Sequence, residues 1–449
     1  MLSGKLITSQ GSSGIGCMMR ANPRSLKGFG EEYANYTFKN GWDWFFHVND
    51  PWETFKAQPT YFLSEWSFVL LGALTLIHAF IVGGRWKYHW LGCYLHGWTT
   101  EMMSFFMPDI DNYWHSQTTV ILLGRRLPFH IPLIYPTFMY IAAYAVAHAR
   151  LPRRAEPLAA GLVEVLIDLP YDIAAVKFVH WTWHDTDPNI FDRHYWVPWN
   201  SYYFHLTFGA AFSAALHFWR RVITGSDDKG KVSSVGREVL CAVLAGLCGM
   251  PGGVIQFLAL YHPLHDVFGI HTENCVIAIV TVYLLIVWAA DRSPGLNTRR
   301  QKGERTHWSA FILVLSLVVH YGLYLGMVVF GHPENEVSIG LHERVGPCDE
   351  TSVVYTATGG KLQRNTYLCS ENYDEDYFDF HCLSDPPLDG SEWYTICGTP
   401  FRNRAEYITI LVLYCVLAAA VFRQLLFHSS RTLVYFGKNR GSEVKAKKS

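Results

Sequence analysis

The sequence predicts an all-α integral membrane protein: a bundle of about nine transmembrane helices with a small disulfide-bonded lumenal loop domain. Three observations predict it. Half of the 449 residues are hydrophobic and only 17% are charged, against about 25% in an ordinary soluble chain. Long apolar runs recur along the chain, each near the roughly 20 residues that a helix needs to cross a hydrocarbon core. Four of the ten cysteines, Cys348, Cys369, Cys382 and Cys397, fall in one polar segment, 331–404, the pattern of two disulfides in an oxidising compartment. Three pairings of the four are open.

The elements follow in order. Residues 1–60 hold no continuous apolar stretch of the kind a signal peptide needs and form an N-terminal lumenal segment. Residues 61–330 form the membrane bundle, with spans near 61–82, 90–107, 130–149, 158–181, 202–219, 239–260, 275–290 and 308–330. The span at 90–107 is the least apolar, because it carries His96 and Glu101. A Cys-rich lumenal loop (331–404), a last span (405–427) and a basic cytosolic tail (428–449) complete the chain. Arg85 and Lys87, "RLPRR" at 150–154, the basic residues of 220–231 and those of 292–305 all fall on one side of this arrangement. The positive-inside tendency makes that side cytosolic, with the N-terminus in the lumen and the C-terminus in the cytosol.

Two short motifs agree with this orientation. Asn35 opens the triplet Asn35-Tyr36-Thr37, a glycosylation acceptor on the lumenal side. The chain ends in "KAKKS", with Lys445 and Lys447 at the −5 and −3 positions. That ending resembles the dilysine retrieval signal of endoplasmic reticulum membrane proteins, an address read by a coat complex. A plain solvated basic tail is the alternative. The net charge of −1 gives no basis for nucleic acid as a partner.

Polar residues crowd the lumenal connections. "HWTWHDTDPNIFDRHYWVPWN" at 180–200 is dense in Trp, Asp and His. Asp109, Asp111 and His115 fall in a second connection, and His262, His265, Asp266, His271 and Glu273 in a third. Within the apolar runs, Glu164, Asp168 and Asp172 recur every four residues and so share a helix face. A charge at the centre of a span costs roughly 2.5–3.5 kcal/mol, so such residues are functional candidates by default; Asp172 and Lys177 neutralising one another is the structural alternative. Asp168, Asp172 and Glu101 are the candidate acid and base, since a carboxylic acid in an apolar setting can act as a proton donor. His184, His115 and Asn200 would orient water or substrate. His180 and His184 at i, i+4, and His262 and His265 beside Asp266, carry helical ligand spacing, for which zinc is the fitting ion. No H-E-x-x-H signature supports it, and a site with no cofactor is the competing expectation. Trp181, Trp183, Trp196 and Trp199 suit an interfacial aromatic belt.

From Glu101 through "YWHS" (113–116), Pro132 and Pro136, then Asp168, Asp172, Trp181 and Trp183, to Val197-Pro198-Trp199-Asn200, the order of motifs resembles the prokaryotic carotenoid hydratase family. The similarity covers about residues 95–215. That family has a proline directly after the second aspartate, where this chain has Ile173 with Pro170 upstream. As a whole the chain is similar to multi-pass eukaryotic membrane families. The resemblance implies acid–base hydration of an isoprenoid double bond, with a small lipophilic substrate entering from the membrane lipids. The expected function is therefore a lipid- or isoprenoid-modifying enzyme of hydratase or hydrolase type. The alternatives are an ion- or proton-coupled transporter using the intramembrane carboxylates, and a non-catalytic receptor or assembly factor.

Overall fold

The apolar runs are helical because each begins and ends on residues that permit it. α1, Pro59–Val82, starts on a proline, whose missing N–H falls where a helix has no acceptor for it, and stops at Gly83 with φ 69°. α2 is Trp86–Phe106. α3, Ile131–Ala147, widens into a π turn over Pro136–Tyr140, where Pro136 has no N–H for the regular ladder. α4 is Glu156–Lys177 and α5 Trp199–Thr224, closed by Gly225 at φ 74°. α6, Val235–Val267, ends in two π turns. α7 is Thr272–Ala290, α8 Ala310–Phe330 and α9 Arg404–His428. The computed structural model describes residues 38–107, 112–184, 186–291, 308–355, 359–383 and 385–428. Asn35, Asp109, Asp111, Lys445 and Lys447 lie outside them.

A helix thus stands at each expected span among the described residues, but they are not alike. Five helices, α1, α6, α7, α8 and α9, are long and apolar enough to cross a membrane. α3 is too short to meet the same measure. α2, α4 and α5 are diluted by polar side chains, nearly all of which turn inward: Glu101, Glu164, Asp168, Asp172 and Ser201 are buried. The expectation of α4 running to residue 181 is corrected, since the helix ends at Lys177 and the chain turns to strand at Trp181.

The chain is mostly helical rather than all-α. β1, Tyr113–His115, pairs antiparallel with β2, Trp181–Trp183, so that His115 faces Trp181 across the ribbon. Segment 331–404 holds a sheet of β3 (Val337–Leu341), β4 (Phe378–Asp379) and β5 (Trp393–Gly398), with β5 in the middle and all pairs antiparallel. Two disulfides staple it, Cys348–Cys369 and Cys382–Cys397, with Cα separations of 4.8 and 5.9 Å. Of the three open pairings, the structure has the sequential one.

That segment is seated on the bundle. Gln117 N donates to Ile339 O at 2.8 Å, and Trp183 N donates to the Tyr377 hydroxyl at 3.0 Å. Lys177 Nζ donates to Thr399 Oγ1 at 3.1 Å and Pro400 O at 3.2 Å. Lys177 is therefore spent on segment 331–404, and the suggested pairing with Asp172 is not what holds it. Glu65, inside α1, accepts from the amides of Thr119 and Val120 at 3.0 Å each and pins the connection between α2 and α3. The described part of the N-terminal segment joins the same connection, Phe46–Val48 pairing with Val120–Leu122.

Candidate active site

The site begins with glycine. A Cβ on Gly161 of α4 would lie 2.2 Å from the Leu206 carbonyl of α5, and one on Gly209 of α5 would lie 1.8 Å from Glu164 Oε2. Small residues let helices of a membrane bundle approach closely, and here they bring two rows together. Glu164, Asp168 and Asp172 recur every four residues on α4; Ser201, His205 and Gly209 recur every four on α5. The rows meet in opposite directions. Asp172 Oδ2 accepts from Ser201 Oγ at 2.8 Å. His205 Nε2 lies 3.3 Å from Asp168 Oδ1, and its Nδ1 lies 3.5 Å from Glu164 Oε1. Asp168 is fully buried, and no hydrogen bond of ordinary geometry reaches either of its oxygens.

A cavity of about 180 Å³ opens beside these rows. Its polar wall includes Glu101, Tyr113, His115, Tyr135, Glu164, Asp172, Ser201 and His205, and its apolar wall Ile131, Ile134, Phe204, Phe208, Met250 and Val254. Glu101, from α2, accepts hydrogen bonds from the Tyr135 hydroxyl at 2.9 Å and the Tyr113 hydroxyl at 3.2 Å. His115 stands in the connection beyond α2, where burial pushes its imidazole down to about 3. It therefore meets the cavity as the neutral ring, and neither nitrogen has a hydrogen-bond partner.

Of the residues singled out in the sequence, Glu101, His115 and Asp172 line this one cavity, and Asp168 joins it through His205. His184 and Asn200 are not part of its lining. Asn200 Nδ2 donates to Asn189 O at 2.6 Å and so closes the 180–200 loop. His184 turns toward segment 331–404: its Nδ1 is 3.4 Å from Glu375 Oε1, and its Nε2 lies 3.3 Å from Thr182 Oγ1, which also meets His342. Burial, helped by the Arg193 charge, pushes His184 down to about 3. Trp181 and Trp183 are cavity walls rather than members of an interfacial belt.

The zinc grouping expected from helical spacing is not assembled. His180 and His184 lie beyond the end of α4, so the i, i+4 argument does not hold for them; His180 Nε2 meets Thr60 Oγ1 at 2.9 Å and its ring stacks on Tyr61. Asp266 lies between His262 and His265, at 2.7 and 2.8 Å from their Nδ1 atoms. Among the described residues, two other trios bring ligand atoms within 4.8 Å of one another: Asp379, His381 and Cys397, and Asp168, Asp172 and His205. The sulfur of Cys397 is bound in a disulfide, which leaves the second trio.

His205 is the residue that sequence reasoning missed. Read alone in "YYFHLTF", it is one more histidine in an apolar run. The signal was the spacing Ser201, His205, Gly209, a polar and small row of the same period as the acidic row on α4. No curated protein and no solved structure matches the chain. The family described as domain of unknown function DUF7802 matches residues 34–427, most of the chain, and the protein belongs to that family.

Proposed function

We propose that this protein is a multi-pass enzyme of the endoplasmic reticulum membrane that modifies a lipid or isoprenoid by acid–base chemistry, adding water to its substrate. The observation that carries this reading is the shared cavity: carboxyl side chains from two different helices, Glu101 of α2 and Glu164 and Asp172 of α4, face one space that also has an apolar wall. Such a space suits a lipophilic chain with a reacting group at its polar end. Glu101, held by Tyr113 and Tyr135, gives a proton to one carbon of the substrate double bond. A water beside Asp172 and His205 adds to the other carbon and releases a proton to that cluster, so that one water is added and no proton is lost. The resemblance over residues 95–215 points to the same chemistry.

The setting belongs to the proposal. All nine helices span, the short α3 and the three polar ones, α2, α4 and α5, sheltered by their neighbours, with segment 331–404 and Asn35 in the lumen. Lys445 and Lys447 address the cytosolic tail to a coat complex.

The test is lipid profiling of cells lacking the protein, followed by rescue. Glu101→Gln and Asp172→Asn keep size and polarity, so both variants accumulate at natural levels. Each is expected to lose the 10²–10⁴-fold in rate that general acid–base catalysis typically supplies and to leave the lipid change uncorrected. Rescue by both would remove the reading.

A further inference from the structure

Asp168 is the side chain that the acid–base account uses least. It is fully buried, lies beside Asp172 and His205, and receives no hydrogen bond of ordinary geometry at either oxygen. Burying an ionisable group without such partners is costly unless something else satisfies it. Three features of its surroundings share one explanation. The ligand atoms of Asp168, Asp172 and His205 lie within 4.8 Å of one another, close enough that a small inward movement would surround a cation. The second nitrogen of the His205 ring faces Glu164 Oε1 at 3.5 Å; metal-bound histidines almost always have an outer partner there, a carboxylate, a backbone carbonyl or a water, which fixes the nitrogen that coordinates. Asp172, in turn, is oriented by the Ser201 hydroxyl at 2.8 Å, with its carboxyl beside that of Asp168.

From this geometry we infer that Asp168, Asp172 and His205 form a binding site for one divalent transition-metal ion, oriented by Glu164 and Ser201 and open toward the cavity on its remaining side. One imidazole and two carboxylates are ligands for zinc or manganese rather than for a soft ion. The open side faces the space that Glu101 borders, so a bound cation would stand beside the water that the proposed hydration uses. The inference deepens that reading and rests on it for the meaning of the cavity, but not for the existence of the site.

Its test needs no substrate. Full-length protein is purified in detergent, stripped with chelator and dialysed against zinc or manganese, and bound metal is counted. About one equivalent per chain is expected. Asp168→Asn and His205→Asn should abolish it, and Glu164→Gln should weaken binding by the 10–100-fold that outer-sphere partners usually contribute. Asp379→Asn, in segment 331–404, should bind as the natural protein does. Undiminished stoichiometry in Asp168→Asn overturns the site, as does an absence of both metals from the natural protein. Should the variants fail to fold, cobalt added to the natural protein decides: d–d absorption bands of a nitrogen- and oxygen-ligated ion support the site, and their absence refutes it. Metal bound without any lipid change in null cells would retain the site and remove the enzymatic reading. Lipid rescue by a metal-free protein would do the reverse.

Discussion

Gly161 and Gly209 sit on facing helices, yet a methyl group would meet different things at each. At Gly161 it would strike the backbone carbonyl of Leu206 at 2.2 Å, which cannot move without separating α4 from α5. At Gly209 it would strike the carboxyl end of Glu164, a buried side chain beside His205 that can turn about its own bonds without moving either helix. Gly161→Ala is therefore expected to cost the roughly 1–3 kcal/mol of an overpacked contact, seen as a lowered melting temperature. Gly209→Ala should melt close to the natural protein while turning Glu164 away from His205, and should fail to rescue null cells. Equal melting losses in the two would contradict this division. At this scale the acidic row was legible in the sequence, because a period of four needs only one helix to be visible. The role of His205 was not, because its meaning depends on which helix packs opposite. Nor was the division of the 180–200 stretch foreseeable: Asp187 accepts from Asn189 N at 2.8 Å, Asp192 accepts from Thr272 N at 2.6 Å, and Arg193 donates to the carbonyls of Trp183 and His184. Much of that titratable density holds loops in place, and among the described residues of the stretch Trp181 and Trp183 are the ones that line the cavity.

The helices were legible to within a few residues because an apolar run of sufficient length leaves few other structures open to the chain. The ribbon of β1 and β2 was not, since three-residue strands carry too little alternation to read and their pairing joins residues about 70 apart in sequence. Segment 331–404 disclosed its disulfides through cysteine count but not its sheet. Its docking onto the bundle buries titratable groups of opposite tendency. Burial pushes Glu336 up to about 8, so the folded chain keeps a proton that the unfolded chain releases above about 4.5, and this contribution falls as pH rises between the two values. His115 and His184, pushed down to about 3, stay neutral where the unfolded chain takes up protons below about 6.5, so theirs falls as pH drops through that range. With the histidines setting the acid limb and Glu336 the alkaline one, stability should peak near pH 6.5 and decline toward about 8. Melting temperatures across that range should show Glu336→Gln losing the alkaline decline and keeping the acid one. An unaltered alkaline limb would assign the decline to another group.

For the molecule as a whole, the apolar and polar helices divide the work. α7 and α9 have only 22% of their most apolar window buried inside the protein, so most of their surface faces outward, whereas α3 and α4 are almost wholly enclosed. The proposed orientation has a direct measure: a glycosylation acceptor engineered between 350 and 390 should be modified in microsomes, and one between 294 and 304 should not. The opposite pattern would invert the protein and put segment 331–404 in the cytosol.

The glycines of α6 carry a consequence for the order in which such a chain can be made. A Cβ on Gly249 would lie 2.4 Å from His96 Nδ1, and one on Gly246 would lie 3.0 Å from the Leu95 side chain, so α6 seals the face of α2 that neighbours the site. In the nine-span arrangement, α2 to α5 leave the ribosome before α6 exists. Released singly into lipid, α4 would present three carboxylates to hydrocarbon, each costing roughly 2.5–3.5 kcal/mol near its centre. If the proposed nine-span arrangement holds, the early helices would have to be held together at the translocon, or by a membrane chaperone, until α6 arrives.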